Sequence, residues 1–208
     1  MKIITIGREF GSGGRDLAKR LAKELDFKYY DKEIISEIAK STDLDEDYVN
    51  KVFEKGLTSY PLHFGTSFAG LSLLNQNSID IMIAHEKIIR ELAQKGDCVF
   101  VGRSADAILN DLNPLNIFVY ADTDYKLNRC KKYGEIDVEM KDKEILKRMK
   151  QIDNGRAKTH SMFASNAWGD RQSYHLLVNT TGFEDIDDLV PSIAEFAEAW
   201  FDNNEKED

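Results

Sequence analysis

The residues best placed to do chemistry stand in one short stretch, Gly7-Arg8-Glu9-Phe10-Gly11-Ser12-Gly13-Gly14-Arg15-Asp16, where glycines alternate with guanidinium, carboxylate and hydroxyl groups. Glycine adopts positive φ without steric cost and lets successive backbone N–H groups converge on a small anion, so the stretch has the make-up of a phosphate cradle. In the pattern G-x-x-x-x-G-K-[ST], a lysine reaches the β- and γ-phosphates and a hydroxyl holds magnesium. Counting from Arg8, Gly13 is sixth, Gly14 stands where the lysine belongs, and Arg15 and Asp16 follow. The cradle is present without its usual cation. Arg8 and Arg15 flank it, and a planar guanidinium can grip two phosphate oxygens at once, so these two are the candidates to replace the lysine. Asp16 is a candidate to hold magnesium through water, or else it favours the helix start through the dipole. Glu9 and Asp31 are the other carboxylates within reach of such a role.

A glycine turn can also exist for packing alone, and the context weighs between the two readings. Here an apolar strand, Ile3–Ile6, enters the loop, and a helix with Leu17, Ala18, Leu21, Ala22 and Leu25 at helical spacing leaves it. Strand, loop and helix in that order aim a helix N-terminus at the bound anion.

The elements that must position these groups follow an alternating pattern. Phe27–Asp31 reads as a short strand, Lys32–Lys40 as a helix, and Ser41–Gly56 as a charged helix. A long helix runs from about Asn75 to Gly96. Cys98–Gly102 and Asn116–Ala121 are apolar runs typical of strands buried on both faces. Helices over Asp124–Tyr133 and Asp142–Thr159, a last strand at Leu176–Thr180 and an amphipathic helix from Ile186 to Phe201 complete the chain. Strands alternating with helices predict an α/β fold with a parallel sheet covered on both sides. In such sheets ligands bind at the carboxyl ends of the strands, which brings Asp31 and Arg103 to the site as candidate substrate-binding residues. Asp31 has an alternative role as a helix cap.

Composition bounds the function. The chain has 208 residues, 42% of them hydrophobic, enough for one cored domain, and its net charge is −9. A broad nucleic-acid or anionic-membrane surface calls for basic patches, so neither a nucleic-acid polymer nor a membrane is expected as a partner. A small phosphorylated ligand needs only a local cluster, which Arg8, Arg15, Arg103, Arg129, Arg148, Arg156 and Arg171 could supply. Cys98 and Cys130 read as buried free thiols, and the four histidines show no metal-ligand spacing. Without a signal or spanning segment the expected compartment is the cytoplasm.

The glycine loop with Ala18-Lys19 and Leu21-Ala22, then Phe27–Asp31, Val101-Gly102-Arg103, Ile117–Ala121, Ile152-Asp153 with Arg156-Ala157, Trp168-Gly169-Asp170, Tyr174 and Asn179 together resemble the cytidylate kinases, and more closely the cytidylate-kinase-like group. The similarity runs over nearly the whole length. It implies a three-layer P-loop NTPase or nucleoside-monophosphate-kinase-like fold, with a five-stranded parallel sheet in the order 2-3-1-4-5. A monophosphate-binding helical insertion over about 41–75 and an arginine-bearing lid over about 142–170 would belong to a single domain. ATP and Mg2+ would be co-substrates, and a nucleoside monophosphate, cytidylate by default, the acceptor. Gly11, Ser12, Gly13, Gly14, Arg15 and Asp16 would bind the donor; Arg8, Arg15, Arg156 and Asp153 would form the catalytic set; Arg148 would join Asp31 and Arg103 at the acceptor. Arg156 lies three residues after Asp153, on the same helix face.

The chain departs from the cytidylate kinases at Gly14, at Val101 and Ser104 where they carry aspartates, and in Lys32–Ser36, which has no arginine. Two other readings stand beside the kinase. One is a nucleotide-binding sensor that kept the fold without turnover, and the other is a homodimer in which Phe64–Leu74 packs against its own copy.

Overall fold

The computed structural model describes residues 1–55, 76–134 and 140–204. Five parallel strands lie in the order β2-β3-β1-β4-β5: β1 (Ile3–Arg8), β2 (Lys28–Tyr30), β3 (Cys98–Val101), β4 (Leu115–Tyr120) and β5 (Leu176–Asn179). β1 is central, in register with Cys98–Val101 on one side and Leu115–Val119 on the other. Its position follows from its residues, since Ile3, Ile4 and Ile6 are all buried and both strand faces need cover.

Side chains alternate across the sheet and divide the core in two. Ile4, Ile6, Val99, Val101, Ile117 and Val119 meet α1 (Gly14–Glu24) and α8 (Val190–Asn204). Ile3, Cys98 and Phe100 face α2 (Glu33–Thr42), α3 (Glu46–Lys55) and α4 (Gln76–Ala93). One polar pair interrupts the second face: Thr5 Oγ1 donates to Asn116 Oδ1 at 2.6 Å, both residues buried. Cys98 and Cys130 are buried free thiols, as expected.

Three details depart from the sequence expectation. The charged helix expected over Ser41–Gly56 begins only at Glu46, because α2 runs on to Thr42 and Asp43, at φ +53°, turns the chain left-handed. A short helix, α5 (Ala105–Ile108), follows β3 where no element was expected. At the C-terminus a 3-10 turn, Ile186–Leu189, precedes α8, so the helix starts at Val190 with Pro191 in its first turn. α6 (Thr123–Lys132) and α7 (Asp142–His160) agree with their expected spans to within two residues. The region proposed to self-associate, Phe64–Leu74, and most of the expected insertion lie outside the described residues. No helix among the described residues is long and apolar enough to cross a membrane.

His85 on α4 carries a stability prediction. Its ring is fully buried between Phe53 and Phe163, and among the described residues neither nitrogen has a hydrogen bond of normal geometry, the Arg103 backbone giving only a weak opposing pull. Burial, reinforced by the nearby Arg103 cation, pushes its pKa down to about 3. Between that value and the ordinary 6.5, only the unfolded chain binds the proton, so stability rises with pH across this window. The contribution is complete above about pH 6.5 and is lost on acidification at up to about 1.4 kcal/mol per pH unit. Urea denaturation at pH 6.5 and pH 5 should therefore differ by roughly 2 kcal/mol more in wild type than in His85→Leu. Equal pH slopes would remove His85 from the acid response.

Candidate active site

The carboxyl ends of the strands open into a cleft of 810 Å³ lined by the glycine loop, the β3–α5 turn, α3 and α7. The loop is held from below and from the side. Ser12 Oγ donates to Glu9 O at 2.8 Å and accepts from Gly14 N at 3.4 Å, while Thr180 Oγ1 donates to Ser12 O at 2.8 Å. Gly11 and Gly13 have φ of +78° and +82°, and a Cβ on either would strike α6, 2.7 Å from Cys130 Sγ and 3.0 Å from Arg129 Nε respectively. Only glycine satisfies both demands. Among the described residues the amide N–H groups of Gly11 and Gly13 find no acceptor, although both residues are buried and line the cleft. Buried amides without partners are rare, and two on a glycine turn that lines a cleft are suited to an anion.

Gly14, in the lysine position, is explained by Arg8. A Cβ there would lie 2.6 Å from Arg8 Cβ and 3.0 Å from Val119 Cβ. The helix gives up its side chain so that a cation rising from the end of β1 can pass beneath it. The guanidinium of Arg8 then reaches Gly102, whose absent Cβ is the space that Arg8 Nη1 fills. Burial, then Arg156 and Arg103, lower the Arg8 pKa well below its usual value. No carboxylate among the described residues is within ion-pair distance of it. An arginine stays protonated even so, which leaves a desolvated cation facing two others across the cleft.

The remaining site residues differ in what they are already doing. Arg15 is half-exposed and reaches across to Asp31, Nη2 to Oδ2 at 2.5 Å. Burial acts against its charge, but Asp31 and the Tyr29 hydroxyl outweigh it and raise its pKa. Asp16 is ion-paired with Arg129 of α6, and Glu9 with Lys126 at 2.7 Å. Arg156 Nη1 donates to Arg8 O at 2.9 Å and to Asp153 Oδ1 at 3.1 Å. Asp153 Oδ1 also accepts from Phe10 N at 2.9 Å. Burial raises the Asp153 pKa against the opposing pull of Arg156 and the Phe10 amide. Asp153 thus ties α7 to the loop, which makes it a residue that positions Arg156. Arg148 is exposed on α7 and does not line the cleft, whereas Arg8, Arg15, Asp16, Asp31, Arg103 and Arg156 all do.

Arg103 sits in an unusual turn. Gly102, Arg103 and Ser104 have φ of +64°, +58° and +54°, three left-handed residues in succession. Left-handed conformations cost a residue with a side chain roughly 1–2 kcal/mol each, and such strain collects at functional turns. The turn brings the Arg103 guanidinium over the Phe53 ring, 5.5 Å from its centroid. Trp168 and Tyr174 both pack on Phe118, with ring centroids 5.2 and 4.9 Å away, so their first duty is packing; Trp168 also reaches the cleft.

Sequence reasoning passed over the pair Asp106 and His160, joined Oδ2 to Nε2 at 2.8 Å in the cleft wall. Separation along the chain and the unexpected α5 left no signal for it.

A resident magnesium held by protein carboxylates does not fit. Asp16, Glu9 and Asp31 are each committed to a cation, and no group of three or more ligating side chains that could hold a metal occurs among the described residues. A nucleotide polyphosphate does fit, given two open amides, a helix N-terminus and the Arg8 guanidinium.

Comparison with known proteins agrees with this geometry. No curated protein matches the chain. An uncharacterized protein from Eubacterium ventriosum ATCC 27560 is similar at 28% identity with a TM-score of 0.67, covering 95% of this chain and 99% of that one. Shikimate kinase from Bacteroides thetaiotaomicron is similar in fold, at 16% identity and a TM-score of 0.56, covering 95% and 98%. Shikimate kinase from Acinetobacter baumannii, solved with shikimate, gives 12% and 0.54, covering 96% and 94%. The sheet order and helical layers are those of the P-loop kinase fold. The family model for the cytidylate kinase-like family matches residues 3–182, and the chain belongs to that family.

Proposed function

We propose that the protein is an ATP-dependent phosphotransferase acting on a small phosphorylated acceptor, a nucleoside monophosphate with cytidylate as the default. The observation that carries this reading is the convergence of Arg8, Arg103 and Arg156 on one cleft beside two glycine amides that find no acceptor among the described residues. Arg156 has Asp153 beside it, but Arg8 is buried next to Arg156 and Arg103 with no carboxylate of the described residues within ion-pair distance, a cost in free energy that an anionic ligand would relieve. Phosphoryl transfer asks a protein chiefly to align two substrates and stabilise charge spreading over the transferred oxygens.

In this account the donor phosphates lie on the Gly11 and Gly13 amides and on Arg8, which supplies from the strand what a lysine supplies from the helix. Arg103 and Arg156 face the same space and neutralise the transferring group and the acceptor phosphate. Asp153 keeps Arg156 in place, and Arg15 with Asp31 closes the cleft beside β2. Magnesium that accompanies ATP would add charge neutralisation while bound mainly to phosphate oxygens and water, as that ion usually is.

The test is ADP formation from ATP with each common nucleoside monophosphate in turn. Acceptor-dependent turnover is expected, strongest with one of them. The carboxylates committed to ion pairs favour a second reading, a nucleotide sensor, and tight ATP binding without product from any acceptor would select it.

A further inference from the structure

A second hollow, of 320 Å³, shares the Asp106–His160 pair with the cleft as a common wall. It lies between the α5–β4 connection and the segment that follows α7, and its chemistry differs from that of its neighbour. The amide-bearing residues Asn110, Asn113, Asn166 and Gln172 line it, with Ser173, His160 and His175, and no lysine or arginine does among the described residues. Two residues that line it carry a buried polar atom with no hydrogen-bond partner among the described residues, Ser173 Oγ and His160 Nδ1. Buried polar atoms left without partners in a hollow of this size mark a place built for hydrogen bonding with something else.

We infer that this hollow binds the uncharged end of the acceptor, a group carrying both hydrogen-bond donors and acceptors, while the acceptor's phosphate lies on the arginines of the cleft. The assignment rests on the kinase reading for the anionic end and adds the neutral one. Amides offer N–H and C=O alike, so they suit hydroxyl- or amide-bearing groups. A second phosphate is disfavoured, because among the described residues no lysine or arginine lines the hollow and the Asp106 carboxylate does. Asp106, held by His160 and beside the Tyr174 hydroxyl, stands in the wall between the two compartments, where its carboxylate can accept from a donor on the ligand.

The experiment measures affinities by calorimetry for orthophosphate, which reports on the cleft alone, and for ribose 5-phosphate and the common nucleoside 5′-monophosphates. The wild type is compared with the Ser173→Ala, Gln172→Ala double variant, which touches neither the glycine loop nor the arginines. One ester should bind at least about tenfold more tightly than orthophosphate, and the double variant should lose roughly that factor, as two neutral hydrogen bonds are worth. Its orthophosphate affinity should stay that of wild type, which also shows that it has folded. If the preferred ester binds the variant as tightly as wild type, or no ester is preferred to orthophosphate, the inference is overturned while the cleft's phosphate site stands. If orthophosphate itself does not bind to wild type, the kinase reading falls and takes this assignment with it.

Discussion

Arg8→Met is expected to weaken polyphosphate binding by two to three orders of magnitude, on the order of 3–4 kcal/mol, while leaving the fold at least as stable as wild type. Methionine keeps an unbranched stem in the space bounded by Gly14 and Val119, so packing there is preserved. What disappears is a guanidinium that burial and the neighbouring Arg156 and Arg103 all disfavour. In the absence of ligand, its removal relieves repulsion and desolvation, and the melting temperature should hold or rise. In the presence of ligand, one or two charge-assisted hydrogen bonds are gone, each worth about 1.5–3 kcal/mol, so affinity for tripolyphosphate should fall by roughly 10²–10³-fold. Calorimetry and a thermal melt on the same preparation check both halves. A variant that binds like wild type, or that melts many degrees lower, would make Arg8 a structural residue.

Gly102→Ala should damage the same site without touching any charge. The residue sits at φ +64°, and its new Cβ would fall on Arg8 Nη1. The backbone conformation alone costs an alanine about 1 kcal/mol or somewhat more. Driving the guanidinium aside adds an overpacking cost of roughly 1–3 kcal/mol and takes the cation out of reach of the loop amides. Polyphosphate affinity should therefore drop nearly as far as in Arg8→Met. In an Arg8→Ala background the collision is gone and only the backbone cost remains, so the double-mutant cycle in urea denaturation should show a coupling of about 1–3 kcal/mol. Additive losses would place the Arg8 guanidinium somewhere other than against Gly102.

Much of this arrangement is legible in the residue order. The three apolar runs that became β1, β3 and β4 are continuous because both their faces are covered, and the loop's glycines stand where positive φ was required. The vacant lysine position and the nearness of Arg8 can be counted off directly. Spacing could not rank Arg8 against Arg15, because the choice is made by a partner in another element: Asp31 at the end of β2 draws Arg15 across, and nothing comparable draws Arg8. Asp16 likewise meets Arg129 from 113 residues away, which no local pattern announces. On α7 the geometry of the helix separates two similar arginines. Arg148 and Arg156 are eight residues apart, about 80° round a helix of 3.6 residues per turn, enough to turn one to solvent and the other to the cleft. The Asp106–His160 pair, 54 residues apart, depends on a short helix whose four residues carry no periodic signal.

The most direct test of a strand-borne arginine standing in for the loop lysine is a crystal structure of the protein with ATP. The β- and γ-phosphate oxygens should lie within hydrogen-bond distance of the Gly11 and Gly13 amides and of the Arg8 guanidinium, with Gly14 contributing backbone only. Phosphates bound elsewhere, or an Arg8 turned away from them toward a carboxylate, would contradict the account.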